Sequence, residues 1–181
     1  SGNSAYDESL LNTVNGYIMN QNNIGGRFAK ICHDQGSGNS FQPSILDYTG
    51  FSVSSNTIGA NQLGHVKMGY ANGDSIGNCI EGGLLTLEVF SAEKINVNNI
   101  KGYCDIKAGN LKSCTVNYNT KCNISGKSFT YCSFDHNSFC NIDVYANLGH
   151  NIFTNADSLK INAVSAGIAY NTFTRISTLK Y

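Results

Sequence analysis

Residues 111–181 read LKSCTVNYNTKCNISGKS (111–128), FTYCSFDHNSFCNIDVYAN (129–147), LGHNIFTNADSLKINAVSAG (148–167) and IAYNTFTRISTLKY (168–181). Laid over one another, the segments place Leu111, Phe129, Leu148 and Ile168 in one column, with Cys114, Cys132, Asn151 and Asn171 three residues on. Val116, Phe134, Phe153 and Phe173 follow two residues later. The pairs Cys122/Ile124, Cys140/Ile142, Leu159/Ile161 and Leu179/Tyr181 close the pattern. Repetition near 20 residues marks a solenoid, in which one turn cannot bury its apolar face until its neighbours stack on it. Positions two apart share one face of an extended strand. The density of Asn, Ser, Thr and β-branched residues disfavours helix. These columns predict an all-β chain, a parallel β-helix or β-solenoid, with like side chains stacked about 4.8 Å apart from turn to turn. A left-handed hexapeptide solenoid is excluded, because residues 111, 117 and 123 are Leu, Asn and Asn rather than an apolar series.

Working backward, Ile106 joins the column of Ile124, Ile142 and Ile161. Cys79 and Leu87 stand eight apart, as do Asn96 and Cys104. About six regular coils are therefore expected over residues 79–181. Residues 6–78 are less regular and read as early, uneven coils or a small cap continuous with them. Within that part, Asp7 and Ser9 ahead of Leu10 and Leu11 suit the start of a short helix. RFAKICH (27–33) carries apolar residues on both parities, which suits a strand buried on both faces. QGSGNSFQP (35–43) is the strongest loop signal, and it lacks the second half of a phosphate-cradling motif. Residues 45–50, 51–58 and 65–70 read as short strands, with turns at Asn61, Gly64 and Asn72-Gly73-Asp74. Residues 1–5 read as a cloning remnant or linker and are set aside.

One corner lengthens along the repeat. Between the Ile column and the next turn lie SGKS, then DVYAN, then NAVSAG. Insertions at one corner are where solenoids carry binding surfaces. Asn117-Tyr118-Asn119, Asp135-His136-Asn137 and Thr154-Asn155-Ala156 supply the bends between the two strand positions, since Asn and Asp tolerate left-handed backbone.

Twelve Lys plus Arg balance twelve Asp plus Glu, so no basic excess is available to neutralise phosphates, and a nucleic-acid partner is not expected. With charged residues at 13%, the surface must be made polar by Asn, Ser, Thr and Gly. The most apolar run, CIEGGLLTLEVF, already carries Glu81 and Glu88, so insertion in a membrane as a helix is not expected. Most of the seven cysteines fall in the repeat columns and read as reduced, buried thiols, which points to assembly in a reducing cytoplasm. The repeated spacing of eight, Cys114 to Cys122 and Cys132 to Cys140, is not a short zinc chelate, and no metal or other cofactor is expected.

Glycoside hydrolysis needs two carboxyl groups facing one sugar. Glu81, Glu88, Glu93, Asp105, Asp135, Asp143 and Asp157 are available, but Asp135 occupies a turn and Asp143 the lengthening corner, and no catalytic residue is assigned. His136 and His150 accompany no recognisable nucleophile and read as solvated side chains. Tyr118, Tyr131, Tyr145 and Tyr170 fall outside the inward columns among amides and hydroxyls. Flat rings in that company suit sugar rings, which makes these four tyrosines the candidate binding residues.

The repeats CTVNYNTKCNI, CSFDHNSFCNI and NIFTNADSLKI resemble the right-handed parallel β-helix domains of bacteriophage tail fibres and tailspikes. The resemblance implies a homotrimer of rods in the virion, folded in host cytoplasm, that recognises a bacterial surface polysaccharide or other host receptor. The end of the repeat at Tyr181, in a strand position with no capping helix, agrees with an edge covered by a partner. A carbohydrate-active β-helix enzyme, hydrolase or lyase, and a bacterial surface adhesin fragment are the alternatives. The paired-carboxylate cleft of enzymatic tailspikes is not found in this sequence.

Overall fold

In the strand Lys121–Thr130, Cys122, Ile124 and Phe129 point inward and are buried, while Lys121, Asn123 and Lys127 face out. The preceding three-residue strand Thr115–Asn117 buries only its central Val116. A short strand and a long strand, joined by tight corners, make one coil. The same unit recurs as Ser133–Asp135 with Phe139–Gly149 and as Asn96–Asn98 with Tyr103–Lys112. The computed structural model describes residues 4–5, 11–25, 27–69, 75–163 and 167–180. Those residues form a single sheet of 18 strands, with each coil paired in parallel to the next. The result is an all-β parallel β-solenoid of about 8 turns, with no helix.

Among the described residues, which leave out Tyr181, the columns expected from the sequence are the observed register. Leu111 pairs with Phe129, Phe129 with Leu148 and Leu148 with Ile168. Ile106, Ile124, Ile142 and Ile161 form one continuous ladder. Phe134, Phe153 and Phe173 stack at centroid distances of 4.9 and 5.0 Å with planes 7° apart. Burial of each such side chain contributes roughly 1.5–3 kcal/mol, more than the about 1 kcal/mol at most of a surface ion pair such as Lys30–Asp47. One pairing differs: Cys79 does meet Asn96, but Leu87 meets Ile106, and Cys104 meets Leu85. The coil starting at Cys79 is two residues shorter at the Gly82–Gly83 corner, so equal spacing along the sequence there was not equal register.

The earlier half is built the same way. Phe28–Ser37 pairs with Leu11–Asn20 on one side and Ile45–Ser54 on the other, and Thr57–Met68 continues the stack. Leu11–Asn20 is a strand rather than the continuation of a helix, and the suggested helix start at residues 7–10 lies outside the described residues. The stretch at 35–43 is a corner, not a free loop. Gln35 to Ser37 finish a strand, Gly38 turns the chain, Asn39 is buried, and Ser40–Phe41 opens the next short strand. Thr57–Met68 passes through Asn61 and Gly64 with a register irregularity between Ala60 and Leu63 in place of turns, while the expected turn at 72–74 is outside the described residues. Ser4–Ala5 pairs with Asn23–Ile24.

Periodicity hid here because the polar member of the column, asparagine, is the buried one. Asn22, Asn39, Asn56 and Asn78 lie 17, 17 and 22 residues apart, and the side-chain oxygens of Asn39, Asn56 and Asn78 each accept from the backbone N–H and side-chain amide of the one before. These bonds measure 2.8–3.1 Å. An amide that stacks on copies of itself satisfies the polar groups of a buried corner, which would otherwise cost about 1–3 kcal/mol each. A second amide ladder, Asn119 to Asn137, serves the other corner of the later coils.

Candidate functional site

Two series of corners turn through one residue with positive φ. At the corner before the Asn/Cys column this seat holds Gln21, Gly38, Ser55, Gly77, Lys94, Ser113, Tyr131, His150 and Tyr170, with φ between 52° and 66°. At the corner after the Phe column it holds Asn99, Tyr118, His136, Asn155 and Arg175, with φ between 50° and 56°. The asparagine itself bends the chain at Asn99 and, as expected, at Asn155; in the other seats the bending residue precedes an inward residue such as Asn39, Cys132 or Asn137, and any side chain of its own faces outward. Left-handed backbone costs a non-glycine residue about 1–2 kcal/mol; beside Gln21, Ser55, Tyr118, His136 and His150 a buried asparagine offsets that cost through its hydrogen bonds.

Because coils stack in register, side chains in these seats stack too. Tyr131, His150 and Tyr170 form a column of parallel rings with centroids 4.8 Å apart at both steps. On the other corner Tyr118 lies on His136, also at 4.8 Å. Between the two corners run the short strands Thr115–Asn117 and Ser133–Asp135, followed by 152–154 and 172–174, whose outward residues are Thr115, Asn117, Ser133, Asp135, Ile152, Thr154, Thr172 and Thr174. The product is a narrow face with a hydroxyl and amide floor and aromatic edges. Three of the four candidate tyrosines border it: Tyr131 and Tyr170 on one edge and Tyr118 on the other. All are more than half exposed, and Tyr170 is 80% exposed.

His136 and His150, read from sequence as isolated solvated residues, belong to these edges. The signal was available: Tyr131, His150 and Tyr170 each stand one residue before the Cys/Asn column, and Tyr118 and His136 each two residues after the Val/Phe column.

Asp135 is the one carboxylate on the face. Its Oδ1 accepts from Thr154 Oγ1 at 2.5 Å and Asn155 Nδ2 at 2.8 Å, and its Oδ2 lies 2.9 Å from His136 Nδ1. Partial desolvation pushes its pKa up, but the bonds from Thr154, Asn155 and His136 outweigh this and hold it down at about 2. Such a group stays ionised and weakly basic at neutral pH, which suits neither a general acid nor a general base.

Tyr145 stands elsewhere, at the lengthening corner. There it borders a groove of about 560 Å³ together with Lys67, Glu88, Phe90, Lys107 and Gly109. Glu88 is its one carboxylate, and Asp143 is engaged instead by Asn162. Of the other carboxylates, Glu93 lies 3.8 Å from Lys112 and Glu81 borders a smaller recess with Gln42 and Lys101.

Cys104, Cys122 and Cys140 stack in register inside the rod, and Cys114 lies against Cys132. Contacts with Cys104 and Cys140, then burial, push the Cys122 thiol up, so it is not a nucleophile. Among the described residues no group of three or more His, Cys, Asp or Glu could hold a metal ion, and no helix is long and apolar enough to cross a membrane.

No protein-family model, curated protein or solved structure matches the chain.

Proposed function

We propose that this rod is a non-catalytic receptor-binding domain of the phage tail-fibre or tailspike kind, and that its ligand is a bacterial surface polysaccharide. The observation that supports it is the edge formed by Tyr131, His150 and Tyr170 beside a floor of Ser, Thr and Asn. Rings present a flat apolar face to the C–H side of a sugar, while hydroxyls and amides meet its hydroxyl groups. A repeating ladder suits a repeating ligand, since each coil offers a similar set of contacts one strand spacing further on. In this setting the rod is one of three in a homotrimer of a virion, and its free thiols fit folding in a host cytoplasm.

The test is to incubate the protein with purified capsule or lipopolysaccharide and measure both retention and chain length. Retention without shortening is expected. Product release that disappears in Asp135→Asn or Asp143→Asn would establish the hydrolase or lyase alternative instead. The mass in solution checks the assembly, and a clean monomer would remove the trimer from the proposal.

A further inference from the structure

The groove at the lengthening corner has features that the narrow face lacks. We infer that it is a second saccharide subsite, built for an acidic sugar residue of a chain lying along the rod; this rests on the polysaccharide reading above.

Its floor is bare backbone. A Cβ on Gly109 would come within 2.2 Å of the Phe90 carbonyl oxygen, and one on Gly126 within 2.0 Å of that of Ala108. Neither coil can carry a side chain at this bend without a shift, and both glycines line the groove. Phe90 and Tyr145 line it at two levels, both half or more exposed. The register Val89, Ala108, Gly126, Val144 puts three coil steps between them, roughly 14 Å at the usual strand spacing. A groove that offers two rings that far apart, running across coils, takes a few linked sugar rings lying along the axis.

The charge on its rim sets the class of sugar. Lys67 and Lys107 flank Glu88 in register, one coil to either side. The ion pairs among the described residues are Lys30–Asp47, Lys112–Glu93 and His136–Asp135, and none engages either lysine or Glu88. Two ammonium groups against one carboxylate leave a net positive rim, open to a ligand carboxylate. The narrow face, by contrast, carries the ionised Asp135 and suits neutral sugars.

The test titrates the protein with galacturonate hexamer and, in parallel, with maltohexaose. The acidic probe is expected to bind at least about tenfold more tightly. Phe90→Ala and Tyr145→Ala should each weaken it about fivefold or more without moving the melting temperature. Lys67→Gln with Lys107→Gln should remove the preference for the acidic probe. Equal affinity for both probes, or affinity for the acidic one that survives both aromatic substitutions, overturns the inference. If neither hexamer binds while native polysaccharide is retained and then lost on Tyr131→Gly, the polysaccharide reading stands and the groove subsite falls. If native polysaccharide is not retained either, both fall.

Discussion

The coils before residue 70 and those after residue 95 share one backbone and differ in what they place on it. Early corners, with Gly77 at the junction, seat Gln21, Gly38 and Ser55 in left-handed conformation; late corners seat Asn99, Ser113, Asn155 and Arg175 in the same conformation but also the rings of Tyr118, Tyr131, His136, His150 and Tyr170. The inside changes in the opposite sense. Early coils bury a three-step asparagine ladder and a His33–Tyr48 pair bonded at 2.5 Å, whereas late coils bury one-step amide ladders, Asn119–Asn137 and Asn151–Asn171, beside columns of Phe, Ile and Cys. A corner that folds well with glycine or serine does not need tyrosine. The stacked aromatic residues in outward seats belong to the later coils, and on the proposed reading they are there for contact with a ligand rather than for folding.

The largest effect should come from breaking the apolar half. Phe134→Asp puts a charge between Cα neighbours Val116 and Phe153 in a stacked column, and should cost at least about 4 kcal/mol in chemical denaturation. Unchanged unfolding would contradict the register. Next is the polar half: Asn39→Ala removes the acceptor used by both the N–H and the side-chain amide of Asn22, with an expected loss of about 1–3 kcal/mol. A loss below about 0.5 kcal/mol would mean that the amide ladder decorates the corner rather than holding it.

Acid should separate the halves more finely. His33 is buried, its Nε2 is bonded to the Tyr48 hydroxyl, and its Nδ1 has no partner. Burial lowers its pKa below the ordinary value of 6.5, and the nearby Asp34 carboxylate only partly offsets this. The unfolded chain thus takes up the proton first. Stability is full above about pH 6.5 and declines as the pH falls below it toward the lowered folded value, by at most about 1.4 kcal/mol per pH unit. For Asp135 the folded pKa of about 2 lies below its ordinary value, so its contribution persists above about pH 4 and is lost only between there and about pH 2. Denaturation midpoints measured from pH 7.5 to 3 should show an early decline that His33→Gln flattens and Asp135→Asn leaves in place. A decline that His33→Gln does not alter would place the sensitivity elsewhere.

How much of this was legible in the sequence follows the same division. Where the inward residues are Phe, Ile and Cys, hydrophobic columns exposed the coil directly, and Leu111, Val116 and Ile124 sit where their spacing put them. Where the inward residue is asparagine, polarity read as loop, and 35–43 with its buried Asn39 was mistaken for a free surface segment. Hydropathy cannot distinguish an amide that faces water from one satisfied by a copy of itself a coil away. The candidate tyrosines were read as outward, whereas their partners His136 and His150, 18 to 20 residues away in the same columns, show their role only when the outward positions are aligned along with the inward ones. The groove was foreshadowed by the lengthening of SGKS into DVYAN, while Phe90, three coils away from Tyr145, gave no local sign.

The smallest expected change in stability carries the central claim. The variant combining Tyr131→Gly and Tyr170→Gly empties two seats of the aromatic edge and places there the residue that left-handed backbone favours. Lost ring stacking and relieved backbone strain should nearly cancel, leaving the denaturation midpoint within about 1 kcal/mol of the parent. Retention of bacterial polysaccharide, measured on the same sample, should fall at least about tenfold. A clear loss of stability with retention unchanged would contradict the account, for it would make the rings part of the fold and not of a binding surface.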